Sequence, residues 1–173
     1  MAVDTTISFR AVIAESGSGG LGTGVNTIVL DFPGTLGSGN YTTGTTSNKF
    51  DRVWSGKDRT LTATSESLDL AGSGLTAVIG GATITYVEVC GVWIRNQSLT
   101  DELIIGNGTA GAFTGMFGAL AHTITVPASG MFFWFAPIDG NGLIPTATTA
   151  DILKVDAGAA TITYDICILG RSA

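Results

Sequence analysis

Apolar and polar residues alternate through much of this chain. Over residues 3–13 the odd positions include Val3, Ile7, Phe9, Ala11 and Ile13, while Asp4, Thr6, Ser8 and Arg10 occupy even ones. A period of two puts successive side chains on opposite faces of an extended backbone, so this pattern predicts a half-buried strand. Residues 160–168 repeat it more cleanly, with Ala160, Ile162, Tyr164, Ile166 and Ile168 on one face and Thr161, Thr163, Asp165 and Cys167 on the other. Two runs are apolar on both parities: 87–94 (VEVCGVWI) and 131–138 (MFFWFAPI). Turn residues bound both runs, and their β-branched and aromatic content predicts strands covered on both faces. Shorter strands are predicted over 25–31, 50–54, 58–64, 102–106, 120–126 and 151–155. Turns at Asn107-Gly108, residues 127–130, Asp139-Gly140 and Asn141-Gly142 separate several of them. No long window carries a capped helical period, and only residues 68–79 would accommodate a helical turn. Many short strands at close spacing predict an all-β chain, an antiparallel β-sandwich or barrel.

Two Gly-rich segments, 15–24 (ESGSGGLGTG) and 34–48 (GTLGSGNYTTGTTSN), interrupt the N-terminal pattern. Residues 1–50 therefore read as an extended arm on flexible joints, and residues 51–173 as the sandwich body. The sequence ATITY occurs at 82–86 and again at 160–164. It fits either two related halves or β-propensity repeating itself.

Composition narrows the function. Charged residues make up 13 % of the chain, about half the usual share, and hydrophobic residues 45 %. So apolar a chain is not disordered. The formal charge is −6, with eight scattered cations, which argues against a nucleic-acid binder. The aromatic-rich run 131–138 is far shorter than the roughly 20 residues of a membrane helix, so no membrane association is expected. The opening MAVDTTISFR has no signal-peptide pattern, which predicts synthesis in the cytoplasm and two reduced cysteines, Cys90 and Cys167.

Candidate chemistry is sparse. The single histidine, His122, shares parity with Leu120, Ile124 and Val126 and is expected in the core or at a subunit contact. One histidine excludes two-histidine metal sites built from one chain. Residues 17–22 match G-x-G-x-x-G, but the sequence continues as a strand and offers no helix N-terminus for a pyrophosphate. Asp139, Asn141 and Asp151 lack the glycine and glutamate of a calcium loop. Asp101 and Glu102 are adjacent, and on a strand would point apart rather than converge. No catalytic, cofactor-binding or metal-binding residue is assigned, and the chain is read as non-enzymatic. The notable feature is an apolar surplus: Phe113, Met116, Phe117 and residues 131–135. Phe132 and Trp134 point opposite to Phe133 and Phe135, so one sandwich interior cannot cover both sets. The second side is read as covered by another chain or by the N-terminal arm, and Ile7 and Phe9 on the arm, with Phe132 and Trp134 on the body, are the candidate subunit or capsid interface residues of an obligate homo-oligomer.

From Asp51 onward the chain resembles structural proteins of tailed double-stranded-DNA phage virions. The resemblance lies in strand order and turn wording: residues 51–54 (DRVW), 59–61 (RTL), 67–70 (SLDL), 87–96 (VEVCGVWIRN), 103–106 (LIIG), 124–130 (ITVPASG), 151–155 (DILKV) and 164–172 (YDICILGRS). It implies a jelly-roll-like sandwich of the head-decoration, or cement, type. It further implies a trimer on the capsid exterior that binds the major capsid protein and clamps coat subunits against the pressure of packaged DNA. The arm would then add a strand to a neighbour's sheet edge. The alternatives are a tail, neck or fibre component, and a host-surface carbohydrate-binding module with Trp54 and Trp93 as stacking residues.

Overall fold

The computed structural model describes residues 44–47, 49–76, 81–136, 138 and 140–173. The chain divides between residues 40 and 41, and the description concerns the second unit. The predicted strands over 3–13 and 25–31, with Ile7, Phe9 and the glycine motif at 17–22, lie outside the described residues.

Among the described residues there is no helix, and the strands lie mainly in two antiparallel sheets, so the chain is all-β. They are β1 (Arg52–Thr62), β2 (Ser65–Asp69), β3 (Leu75–Thr76), β4 (Thr83–Ile84), β5 (Glu88–Asn96), β6 (Leu103–Gly106), β7 (Gly111–Ala112), β8 (Thr123–Val126), β9 (Met131–Phe135), β10 (Ala150–Asp156) and β11 (Thr161–Arg171). One sheet has the order β1-β11-β5-β9 and the other β2-β10-β6-β8, with β7 beside β10. The pairing is nested: β1 pairs with β11, β2 with β10, β5 with β9 and β6 with β8. That order is compatible with the expected jelly-roll-like arrangement.

Period two sets which side chains meet. On the first sheet one row runs Trp54–Ile168–Val92–Trp134 and the next Gly56–Ile166–Ile94–Phe132. On the second, Val155, Ile105 and Ile124 share a row. These rows feed one cluster of buried side chains drawn from both sheets, including Leu61, Leu68, Leu103, Val126, Leu153 and Ile162. Burial of this apolar surface is the main driving force for the fold.

Several expectations change in detail. The predicted strands over 50–54 and 58–64 form one strand, β1, with an extra residue between Gly56 and Arg59. Asp58, at φ 51°, sits in this bulge. The described residues alone do not cover the run at 131–138 on both faces. Its strand, β9, ends the four-stranded order and is half-buried or exposed throughout. His122 precedes β8 and is exposed, its Nδ1 2.6 Å from the Phe117 carbonyl oxygen, so it is not a core histidine. The two ATITY segments are not equivalent: Thr83 and Ile84 lie in a small two-stranded sheet with β3, whereas Ala160 leads into β11.

Candidate interaction surface

The two sheets meet along two flanks. One is bordered by β1 and β2, joined through Ala63 and Thr64; the other by β8 and β9, joined by residues 127–130. They differ chemically.

The β1/β2 flank carries Arg52, Lys57, Asp58 and Arg59 on β1, with Glu66 and Asp69 on β2. By register Arg59 and Glu66 both take inward-facing positions: Arg59 pairs with Tyr164 and Glu66 with Val155. They join across the flank in a bidentate ion pair, with Arg59 Nε donating to Glu66 Oε1 at 2.8 Å and Nη2 to Oε2. The Arg59 guanidinium also lies over the Trp54 ring, 5.5 Å from its centroid. The hydrogen bond to Glu66 raises the Arg59 pKa above its ordinary value. Gly56 leaves room for the arginine stem, because a Cβ there would stand 2.4 Å from Arg59 Cδ. The sequence places both ions where apolar side chains would be expected, and together they lid the core.

Among the described residues the β8/β9 flank has no such ion-pair lid. Its inward-facing edge residues, Ile124 on β8 with Phe132 and Trp134 on β9, are half-buried and pack against the core, as do Met116 and Phe117 from the loop before β8. Leu120, Met131 and Ile138 along this stretch expose between 46 and 52 % of their surface. The sequence has no Asp, Glu, Lys or Arg from Leu103 to Ile138. Asn96 fixes the turn that joins these strands. Its buried Nδ2 donates to the carbonyl oxygens of Asp101 (2.8 Å), Val126 (3.1 Å) and Pro127 (3.2 Å), and its Oδ1 accepts from Ser98 N (2.9 Å).

Of the four candidate interface residues, the structure brings Phe132 and Trp134 together on the inward face of β9, at the open flank. Phe133 and Phe135 stack on the opposite face, ring centroids 5.9 Å apart, and Phe50 lies 5.7 Å from Phe135. Trp54, one candidate stacking residue, is buried beneath Arg59; Trp93 takes the outward-facing position opposite Cys167 and Phe133.

Several other charged groups are held by hydrogen bonds within their own loops or across neighbouring strands. Asp151 Oδ2 accepts from Thr148 N at 2.8 Å, and Asp101 Oδ2 from Thr100 Oγ1 at 2.6 Å. Asp165 Oδ1 accepts from Asp58 N (2.9 Å) and Gln97 Nε2 (2.8 Å). Buried Arg171 pairs with Glu88, donates to the Lys49 carbonyl oxygen at 3.0 Å and lies over Phe50, which ties the approach to β1 onto β11. Cys90 and Cys167 are buried and unbridged, and burial pushes the Cys167 thiol up to about 12. Among the described residues no three His, Cys, Asp or Glu side chains gather as metal ligands, and no helix is long and apolar enough to cross a membrane. No protein-family model, curated protein or solved structure matches the chain.

Proposed function

We propose that this chain is a non-enzymatic structural protein of a tailed-phage virion, a decoration or cement protein that binds the major capsid protein on the capsid exterior as a small homo-oligomer. The observation that carries this reading is the β8/β9 flank, a border of exposed and half-buried apolar side chains free of Asp, Glu, Lys and Arg on an all-β body with nested strand pairing. Such a border suits association with protein, since the cores of protein interfaces are depleted of charge and rich in aromatic residues and methionine. The polar groups described above act as loop caps and ion-pair lids, which suits a load-bearing body. A cement protein works by mass action: what binds the assembled lattice and not its separated parts stabilises the lattice. Repetition over a symmetric shell multiplies modest contacts.

The test is binding of the purified protein to emptied capsids of the phage that encodes it. Saturable binding and a higher capsid disruption temperature are expected. Deleting residues 2–24 is expected to abolish binding and leave the body folded. Binding to tails alone would move the chain to the tail. Glycan binding lost on Trp93→Ala, with no capsid binding, would make it a carbohydrate module.

A further inference from the structure

We infer that Asn107-Gly108 is a site of spontaneous covalent modification, where Asn107 loses its side-chain amide and becomes aspartate or isoaspartate. Asn141-Gly142, the same dipeptide in another turn, is held against the reaction. The inference goes beyond the proposed function and does not depend on it. In an Asn-Gly pair the glycine nitrogen gives up its proton and attacks the side-chain carbonyl carbon of the asparagine. A new N–C bond forms, the C–N bond of the side-chain amide breaks, and the amide leaves as ammonia with the proton. Water then opens the resulting succinimide at either carbonyl carbon, giving aspartate or isoaspartate. Only water is consumed. The glycine nitrogen must be free to swing onto the side chain, and glycine, with no Cβ, hinders this least.

The sequence holds two Asn-Gly pairs, at 107–108 and 141–142. Both asparagines are exposed and both glycines half-buried, so access does not separate them. The glycine nitrogens do. Gly142 N donates to Oε1 of buried Glu88 at 2.6 Å, and Oε2 of Glu88 pairs with Arg171. Next to it, Leu143 and Val89 exchange two backbone hydrogen bonds of 2.8 Å. A Cβ on Gly142 would stand 2.6 Å from the Val89 carbonyl oxygen, so the glycine lies tight against β5. Its nitrogen cannot reach Asn141 without leaving a buried carboxylate. Among the described residues no hydrogen bond holds Gly108 N–H. Asn107 and Gly108 lie in the loop between β6 and β7, outside any strand. The backbone there calls for this pair. Asn107 has φ 54°, a conformation that asparagine tolerates better than most side chains. A Cβ on Gly108 would stand 2.2 Å from Ala112 Cβ. The product has a consequence in place. It puts a carboxylate into the stretch from Leu103 to Ile138, which holds no Asp, Glu, Lys or Arg. Isoaspartate also lengthens the main chain by one carbon where Asn107 N donates to the His122 carbonyl oxygen, at the approach to β8.

The test incubates the full chain in mildly alkaline buffer, folded and, in parallel, unfolded in urea. Peptide mapping by mass spectrometry with fragmentation reads amide loss at each asparagine separately. In the folded chain Asn107 is expected to react about tenfold faster than Asn141 or more, since reaction at Asn141 must first break a hydrogen bond to a charged group. In urea, where neither turn persists, the two rates are expected to converge. An isoaspartyl methyltransferase should label position 107 of the aged folded chain. Isoelectric focusing should show an acidic species carrying one more negative charge than the formal −6. Asn107→Gly, which tolerates the same backbone conformation, should remove that species, and Asn141→Ser should leave it. Equal rates in the folded chain overturn the inference, as does a faster Asn141, which would make Glu88 a base for the attack. The same ratio of rates folded and in urea also overturns it, because the difference would then owe nothing to the fold. So does an Asn107 that stays intact in the folded chain while the unfolded chain reacts.

Discussion

Trp54 and Trp134 stand at opposite ends of one row of the four-stranded sheet, separated by Ile168 and Val92. Both face the core from a strand that ends the sheet order. Trp54 is 6 % exposed, because Arg59 lies over its ring and Glu66 holds Arg59 from the other sheet. Trp134 is half-buried, with no such ion pair over it among the described residues. The residue type and its place in the row are the same, so the difference comes from what the neighbouring strand offers. Among the described residues one flank is closed by an ion pair, while the other is bordered by half-buried apolar side chains. The strand edges follow suit. β1 has the bulge at Asp58 and four charged residues, β2 has Glu66 and Asp69, and such devices discourage stray strand pairing. β8 and β9 carry no charge.

The comparison is tested hardest by truncating each tryptophan. Trp54→Ala should cost about 3–5 kcal/mol, the usual range for a fully buried aromatic. Trp134→Ala should cost roughly half of that, because part of its surface is already exposed. Urea unfolding of both variants measures the difference. Equal costs would mean that the two flanks are equally sealed. Next in size is the lid itself. Arg59→Ala should cost about 1–2 kcal/mol, from one partly exposed ion pair and one cation–π contact. Acrylamide quenching of tryptophan fluorescence should rise as Trp54 becomes accessible. Glu66→Gln should fall between wild type and Arg59→Ala, since the neutral amide still accepts a hydrogen bond but no longer holds the charge.

The sequence makes some of this legible and hides the rest for identifiable reasons. β11 is read from the alternation Ile162, Tyr164, Ile166, Ile168, and β5 from its doubly apolar run, because both lie inside the sheet order where period and burial agree. β2 is not legible. Its sequence, SESLD, places Glu66 at an inward-facing position, and only Arg59 on another sheet makes that position tolerable. His122 misleads because the parity of Leu120 and Ile124 carries the strand back too far; β8 begins at Thr123 and the histidine sits in the preceding loop. The β9 run misleads in the opposite way. Aromatic residues on both parities suggest a strand dry on both sides, whereas among the described residues it ends the sheet order and is half-buried, because the cover expected from the arm or another chain lies outside them. Phe132 and Trp134 are legible as a pair by parity. The extent of the flank around them has a separate signal in the absence of charge from Leu103 to Ile138.

The smallest expected effect is also the most local, and it separates the flanks by pH. Asp58 on β1 has its carboxyl held below the ordinary 3.8, chiefly by the hydrogen bond from Gln97. Asp156, at the end of β10 paired with Ser65 of β2, is held down chiefly by Lys154, 2.8 Å away. A carboxyl whose folded pKa lies below its unfolded value stabilises the fold above the unfolded value. That contribution shrinks as pH falls below 3.8 and is gone once pH has passed the folded pKa. Both groups border β1 and β2. Between Leu103 and Ile138 the sequence holds no Asp, Glu, Lys or Arg. Backbone amide shifts followed by NMR from about pH 5 to about pH 2 should therefore move at Asp58, whose N–H donates to Asp165, and at Gly158, whose N–H donates to Asp156. Those of Thr123–Val126 should stay still over the same range until the chain unfolds globally. Early movement along β8 would show that the two flanks are coupled through the core, and that the uncharged border is not electrostatically independent of the charged one.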